Sequence, residues 1–186
     1  MKAGFLAGGA MRALAPAAAT AALMAGPAAA ERLQNGTQFG DWTVACEAIA
    51  VNETICVLTQ RLLARDGDRF LTELLAFNDE SEPVAYLAAR VPLGVYFPAG
   101  FSIRPEGADV TFDFAWQSCA MDLCEALMVL DAEALAALGG TATAIAGYVP
   151  RTGGEALVFR IGTEGLAEGL TALAAALGLP GVGGGN

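Results

Sequence analysis

Four cysteines and a complete lack of histidine define the chemistry open to this chain. The cysteines are Cys46, Cys56, Cys119 and Cys124, spaced C-x9-C and C-x4-C. Without histidine, Ser–His and Cys–His nucleophile pairs cannot form within the chain, and zinc-hydrolase sites built on histidine are excluded. The single lysine, Lys2, lies in an N-terminal segment that we expect to be removed. We therefore expect no catalysis by a Ser–His or Cys–His pair, and none by a free thiol if the cysteines are bridged.

Carboxylate chemistry remains possible, either as a glycosidase-like pair of acids or as a Ca²⁺ site. The candidates are Asp66 with Asp68, and Asp122 with Glu125. Both pairs lie where turns are expected, and acids are common in turns for reasons of solvation and local hydrogen bonding. No glycine-rich phosphate loop follows a strand and opens a helix. We expect a protein that is not an enzyme and has no cofactor or metal, with a carboxylate-based hydrolase as a minor alternative.

The first thirty residues have the pattern of a secretory signal. Lys2 and Arg12 precede an uncharged Ala/Leu run over 13–24, and small residues end the segment at Ala30. A transmembrane anchor would need about 20 apolar residues, and this run is shorter. The pattern predicts a signal peptide over 1–30, one domain over 31–178 and a flexible Gly-rich tail over 179–186.

The charge of the mature chain excludes several kinds of partner. Removing Lys2 and Arg12 from ten cations leaves eight against twenty acids, a net charge of −12. Nucleic acid and anionic membrane surfaces both favour clustered Lys and Arg, so neither is an expected partner. Solubility is a simpler explanation of this acidity than an electrostatic binding site.

In an exported chain an even number of cysteines indicates disulfides, and four cysteines allow three pairings. A Cys₄ zinc site is the alternative, although the spacings lack two short C-x2-C knuckles. Loop entropy gives each local bridge about 2–3 kcal/mol and a long Cys46–Cys119 bridge about 4.5 kcal/mol. Stability alone therefore favours the crossed pairing, and the residues leave the choice open.

Beyond residue 38 the hydropathy alternates with a period of two, which is typical of strands. About eight or nine short strands separated by Gly, Pro and Asp turns predict a mainly β fold, a sandwich or a barrel. Two helices interrupt the strands. We expect one over 132–138 capped by Asp131 and a C-terminal one over 164–177 capped by Thr163.

The apolar segment 91–101 carries two prolines and two glycines and links two predicted strands. One interpretation is a buried crossover between two sheets. The other is an exposed aromatic loop that presents Tyr96, Phe97 and Phe101 to a partner. The tryptophans, Trp42 and Trp116, are expected to be core residues near the cysteines.

Three segments resemble the invasion-associated locus B family of bacterial exported proteins. They are FGDWTVACE (39–47) with a cysteine ten residues after Cys46, VPLGVYFPAGFSIRPEG (91–107), and WQSCAMDLCEALMVLDAEALAALGG (116–140). The second is similar to the family's PLG…PPG stretch, and the third to its cysteine pair and the leucine-rich segment after it. The resemblance covers most of residues 39–175.

This resemblance implies an immunoglobulin-like β-sandwich with local bridges Cys46–Cys56 and Cys119–Cys124, in the periplasm or on the surface of a Gram-negative bacterium. It supplies no catalytic residues. The chain departs from the family in its acidity, its preference for Arg over Lys and its helical C-terminal extension. Together with the residue chemistry, the resemblance implies a module that binds an unidentified protein partner. The alternative is an envelope-maintenance chaperone or a small-ligand carrier.

Overall fold

The computed structural model describes residues 33–65 and 67–182 of the chain. The predicted signal peptide over 1–30 lies outside the described residues. So do Asp66, one of the candidate carboxylates, and the second half of the predicted tail, 183–186.

The described residues form ten β-strands and two α-helices. In chain order these are β1 (Gln38–Phe39), β2 (Trp42–Ala50), β3 (Glu53–Leu63), β4 (Phe70–Asn78), β5 (Ala85–Pro92), β6 (Phe101–Pro105), β7 (Phe112–Ala120), β8 (Leu123–Leu130), α1 (Ala132–Gly139), β9 (Thr143–Tyr148), β10 (Leu157–Gly162) and α2 (Leu166–Leu177). The prediction of a mainly β fold with two helices is confirmed, with ten strands where eight or nine were expected.

All ten strands belong to one antiparallel sheet, in the order β1-β2-β3-β4-β5-β8-β7-β6-β9-β10. Strand β7 pairs with β8 on one side and with β6 on the other, so it joins the two halves. The sheet curls until its far end meets β3, where the side-chain amide of Gln60 exchanges two hydrogen bonds with the backbone of Gly162 in β10. The predicted two-layered arrangement thus comes from one continuous sheet.

The core lies inside this curl and under α2. Alternate residues of the strands point inward, as the period of two requires. Trp42, Leu58 and Leu74 are at most 1% exposed. Helix α2 packs across β3 and β4, and Asn78 at the end of β4 donates a hydrogen bond of 3.0 Å to the Leu170 carbonyl. On α2, Leu166, Leu170 and Leu173 are buried, while Leu177 at its last position is half exposed.

The two helices begin in different ways, one with a side-chain cap from the adjacent residue and one without such a cap. Asp131 caps α1 as predicted, because its carboxylate accepts from the Ala134 N–H at 2.9 Å. The predicted cap of α2 by Thr163 is wrong. Its hydroxyl donates instead to the Thr141 carbonyl, and the helix begins after Gly165. Gly165 has φ +83°, and a Cβ there would lie 2.1 Å from the Phe39 carbonyl oxygen, so glycine is required.

Candidate functional site

Both disulfides are local and close antiparallel hairpins. Cys46 in β2 lies directly opposite Cys56 in β3, and Cys119 in β7 lies directly opposite Cys124 in β8. Their Cα–Cα distances are 4.1 and 4.0 Å. This is the pairing that the family resemblance implied and that loop entropy alone did not favour. No free cysteine remains among the described residues.

The three candidate carboxylates that the structure describes, Asp68, Asp122 and Glu125, do not assemble into a site. Glu125 lies on the solvent-facing side of the sheet and accepts a hydrogen bond from Arg90 at 2.8 Å, and the same guanidinium lies 3.9 Å from Glu73. Asp122 lies in the exposed turn between β7 and β8, and Asp68 is exposed in the β3–β4 turn. Across residues 33–65 and 67–182, no group of three or more cysteines and acids is arranged to hold a metal ion.

The apolar segment between β5 and β6 is a crossover that is exposed along its middle. It carries the chain past β8 and β7, and two backbone hydrogen bonds fix its course. Leu93 donates to the Asp122 carbonyl at 3.1 Å, and Tyr96 donates to the Val149 carbonyl at 2.8 Å. A single 3₁₀ turn over Phe97–Ala99 follows. The segment therefore combines a defined backbone with side chains that face solvent.

The three aromatic residues predicted for this loop divide into two groups. Tyr96 is 36% exposed and Phe97 is 52% exposed, so both are available to a partner. Phe101 is fully buried, and its inclusion in the binding loop was wrong. It is the first residue of β6, where it pairs with Phe114 and Tyr148; its ring meets that of Phe114 edge to face and stacks on that of Tyr148 inside the core. Strand pairing turns its side chain inward.

Phe97 is supported by the neighbouring strand. Its ring meets that of Trp116 edge to face, with centroids 5.7 Å apart. Trp116 is half buried and packs against the edge of the core, whereas Trp42 lies fully inside it. Edge-to-face aromatic pairs add about 0.5–1.5 kcal/mol beyond the area they bury. Phe97 is thus held in place while half of its surface stays exposed.

The sequence reasoning missed one residue of this region, Met121. It begins the two-residue turn of the Cys119–Cys124 hairpin and is 93% exposed, with φ +52°. A hairpin turn with a positive φ at its first position favours glycine there, because a side chain is strained in the left-handed region. The available signal was a two-residue turn between paired cysteines with methionine in the place of glycine.

These exposed apolar side chains define a surface that we call the loop patch: Leu93, Tyr96, Phe97 and Met121. The hydrogen bond from Leu93 to Asp122 joins the crossover to the hairpin turn beside Met121. The Cys119–Cys124 bridge closes that hairpin two residues behind Met121. Exposed apolar side chains that lie near one another on a fixed backbone favour a protein interaction site.

A second apolar surface lies on the outer side of the sheet. It is an open cleft of about 660 Å³, lined by side chains of β2, β3, β4, β5 and β8 that include Val57, Leu75 and Phe77. The Arg90 ion pairs with Glu73 and Glu125 lie in the same cleft. Among the described residues, no helix covers this side of the sheet in the way that α2 covers the other.

Comparison with known proteins identifies the family of the chain. The sequence pattern of the family described as invasion associated locus B (IalB) protein matches residues 42–174. The chain therefore belongs to the invasion associated locus B family. The match includes both disulfides and all four residues of the loop patch.

A solved structure shows the same fold. The crystal structure of invasion associated protein B from Bartonella henselae superposes with a TM-score of 0.64 at 16% identity, covering 76% of this chain and 96% of that one. At this identity the likeness shows the fold alone. No curated protein matches the chain. Among residues 33–65 and 67–182, no helix has the length and apolar character needed to cross a membrane.

Proposed function

We propose that this chain is a non-catalytic, exported interaction module that binds a protein partner through the loop patch. The observation that carries the proposal is Met121. A long apolar side chain on a strained, almost fully exposed backbone position contributes neither to the turn nor to the core. Strain of this kind clusters at active sites, ligand-binding sites and switch regions.

Export is part of the proposal and is supported by two features. The segment 1–30 has the pattern of a signal peptide, and the four cysteines form two disulfides, which persist in oxidising compartments. N-terminal sequencing of the protein from the envelope fraction should begin at Glu31. A protein that retains residues 1–30 would contradict this part of the proposal.

The binding role is tested by in-cell crosslinking with the exported protein as bait. Changing Tyr96 and Phe97 to Ser should abolish capture of the partner, because it removes the two exposed aromatic rings of the loop patch. The matched control changes Ile49 and Val51 to Ser, since these side chains are exposed in the other disulfide hairpin at 51% and 92%. Equal capture by the wild type and both variants would refute the loop patch as the binding surface.

A small-ligand carrier is a second candidate, and the outer cleft favours it. A cleft of about 660 Å³ with an apolar floor and one arginine is within the size range of ligand sites. Native mass spectrometry of the protein purified from its own envelope would show a bound mass under this proposal. Changing Leu75 to Gln should then release that mass, whereas the Tyr96 and Phe97 changes should not.

A further inference from the structure

Strand β10 is the last strand of the sheet, and one of its sides is paired with no other strand. In an antiparallel ladder, the backbone N–H and C=O groups of alternate residues point to the same side. Gly162 directs both groups away from β9, because both bond to the side chain of Gln60. By the same alternation, Arg160 and Val158 direct theirs away from β9.

The pairing of β9 supports this assignment. Thr143 and Ile145 lie opposite Gly162 and Arg160. The Thr143 carbonyl accepts from Glu106 after β6, so it points away from β10. Among the described residues, no hydrogen bond engages the outward backbone groups of Val158 and Arg160. The outward N–H and C=O groups of these two residues thus form an open strand edge. It lies next to Gly162, whose outward groups bond to Gln60.

A groove of about 560 Å³ lies between this edge and the β3–β4 hairpin. Strands β3 and β10 meet where Gln60 contacts Gly162, and they diverge beyond that point. The groove is the opening between them. Its apolar lining includes Leu62, Leu71 and Phe159. An added strand along β10 would place alternate side chains on these apolar residues.

The groove is basic in a chain of net charge −10. It is lined by three arginines, Arg65, Arg69 and Arg160. Arg160 forms an ion pair with Glu106 at 3.0 Å. Arg65 and Arg69, in the turn between β3 and β4, line the groove beside it.

We propose that β10 binds an extended acidic peptide segment by strand addition. The backbone of the segment pairs with Val158 and Arg160, its apolar side chains enter the groove, and its carboxylates bind Arg65 and Arg69. Addition of a strand to an open sheet edge is an established mode of peptide recognition, in which the backbone supplies affinity and the pockets supply specificity. Because the loop patch belongs to a different part of the fold, binding at β10 can be tested independently of binding at the loop patch.

The probe is a capped hexapeptide of alternating Glu and Val, titrated into the ¹⁵N-labelled mature chain. Binding should slow hydrogen exchange of the Val158 and Arg160 amides by about tenfold or more, because both would become hydrogen-bonded. A peptide of alternating Lys and Val should bind at least about tenfold more weakly, since it meets Arg65 and Arg69 with like charge. Equal binding of the two peptides, or unchanged exchange at both amides, would overturn the proposal.

Two sets of variants separate the backbone from the charges. Val158→Pro removes an outward N–H that β9 does not use and should weaken the Glu/Val peptide about fivefold, while the control Val158→Thr keeps the N–H and the affinity. Arg65→Gln with Arg69→Gln should weaken it about tenfold, and Arg104→Gln with Arg151→Gln should not. If Val158→Pro does not fold, a peptide N-methylated at alternate amides tests the same hydrogen bonds without altering the protein.

The remaining occupant is a second copy of the chain paired edge to edge through β10. In that case the Val158 and Arg160 amides would be protected without peptide, in proportion to protein concentration, and sedimentation would show a dimer. That outcome would also overturn the proposal. The Tyr96→Ser and Phe97→Ser variant should bind the Glu/Val peptide like the wild type, which keeps a failure of this site distinct from a failure of the loop patch.

Discussion

The two disulfide hairpins share one design but differ at their tips. Each joins neighbouring strands through directly opposed cysteines and turns in two residues, one of them with a positive φ. In the first hairpin that residue is Asn52, of a type that tolerates the left-handed region, and its neighbour Val51 has no such strain. In the second it is Met121, which has no local means of offsetting the strain.

The surroundings of the two hairpins also differ. Cys46 and Cys56 line a shallow cleft together with Leu173 and Leu177 of α2, so the first hairpin is part of the helix-packing surface. The second hairpin is bonded to the crossover loop through Asp122. The backbone conformation explains why the first tip has Asn52, but it does not explain why the second has Met121. This difference is our main reason for placing the binding surface at the second.

Removing each disulfide in turn should have the largest effect on stability, and it tests whether the two hairpins differ in function. Replacing Cys46 and Cys56 by Ala, or Cys119 and Cys124 by Ala, should each lower the free energy of unfolding by about 2–3 kcal/mol. Denaturant unfolding of both variants measures this loss. Partner capture at a temperature where both remain folded should fall only for the second, because only that bridge closes the hairpin of the loop patch. Equal loss of capture would mean that the two hairpins do not differ in function.

Straining the backbone of the crossover loop at Gly94 should have the next largest effect on stability and on partner capture. Gly94 has φ +103°, and a Cβ there would lie 3.3 Å from the Pro150 carbonyl oxygen. Gly94→Ala should therefore cost about 1–2 kcal/mol of stability, measured by thermal unfolding, and displace Leu93 and Tyr96. Gly36→Ala is a matched control for positive φ, at +88° with open space, in the segment beside the first hairpin. It should cost about 1 kcal/mol and leave capture unchanged.

Exchanging the strained turn residue should separate stability from binding. Met121→Gly relieves the left-handed strain and should raise the free energy of unfolding by about 0.5–1 kcal/mol, while partner capture decreases because an exposed apolar contact is lost. Asn52→Gly in the first hairpin should change stability by only a few tenths of a kcal/mol. A Met121→Gly variant that gains stability and keeps full capture would remove the observation on which the proposed function rests.

The strands and the core could be predicted from the sequence because their signals are local. Alternation around Trp42 and Val44 indicated a strand with one buried side, and Asp131 before an alanine-rich run indicated a capped helix. The start of α2 could not be predicted in this way. Thr163 has the residue type of a cap, but its hydroxyl bonds to Thr141, a residue 22 positions away in the sequence.

The candidate site was predictable only in part, for the same reason. Phe97 and Phe101 occupy one short Pro- and Gly-rich segment, and nothing local distinguishes them. The pairing of Phe101 with Phe114 and Tyr148 buries it, while Phe97 remains in the unpaired stretch. The pairing of the cysteines likewise required the family resemblance, because loop entropy favoured a long bridge over Cys46–Cys56.

A pH titration gives the smallest expected effect and isolates the cause of the Met121 result. Hydrogen bonds from Arg160 and Thr143 hold the pKa of Glu106 below its ordinary value of 4.5. The contribution of Glu106 to stability is therefore present above pH 4.5 and lost as the pH falls through its lowered pKa. Since the carboxylate is exposed to solvent, the loss is small, and Glu106→Gln should reduce it in unfolding experiments between pH 7 and pH 3. The gain from Met121→Gly should be the same at both ends of this range, because relief of backbone strain involves no proton. A gain that changed with pH would assign it to charge in the turn and would remove the distinction between Asn52 and Met121.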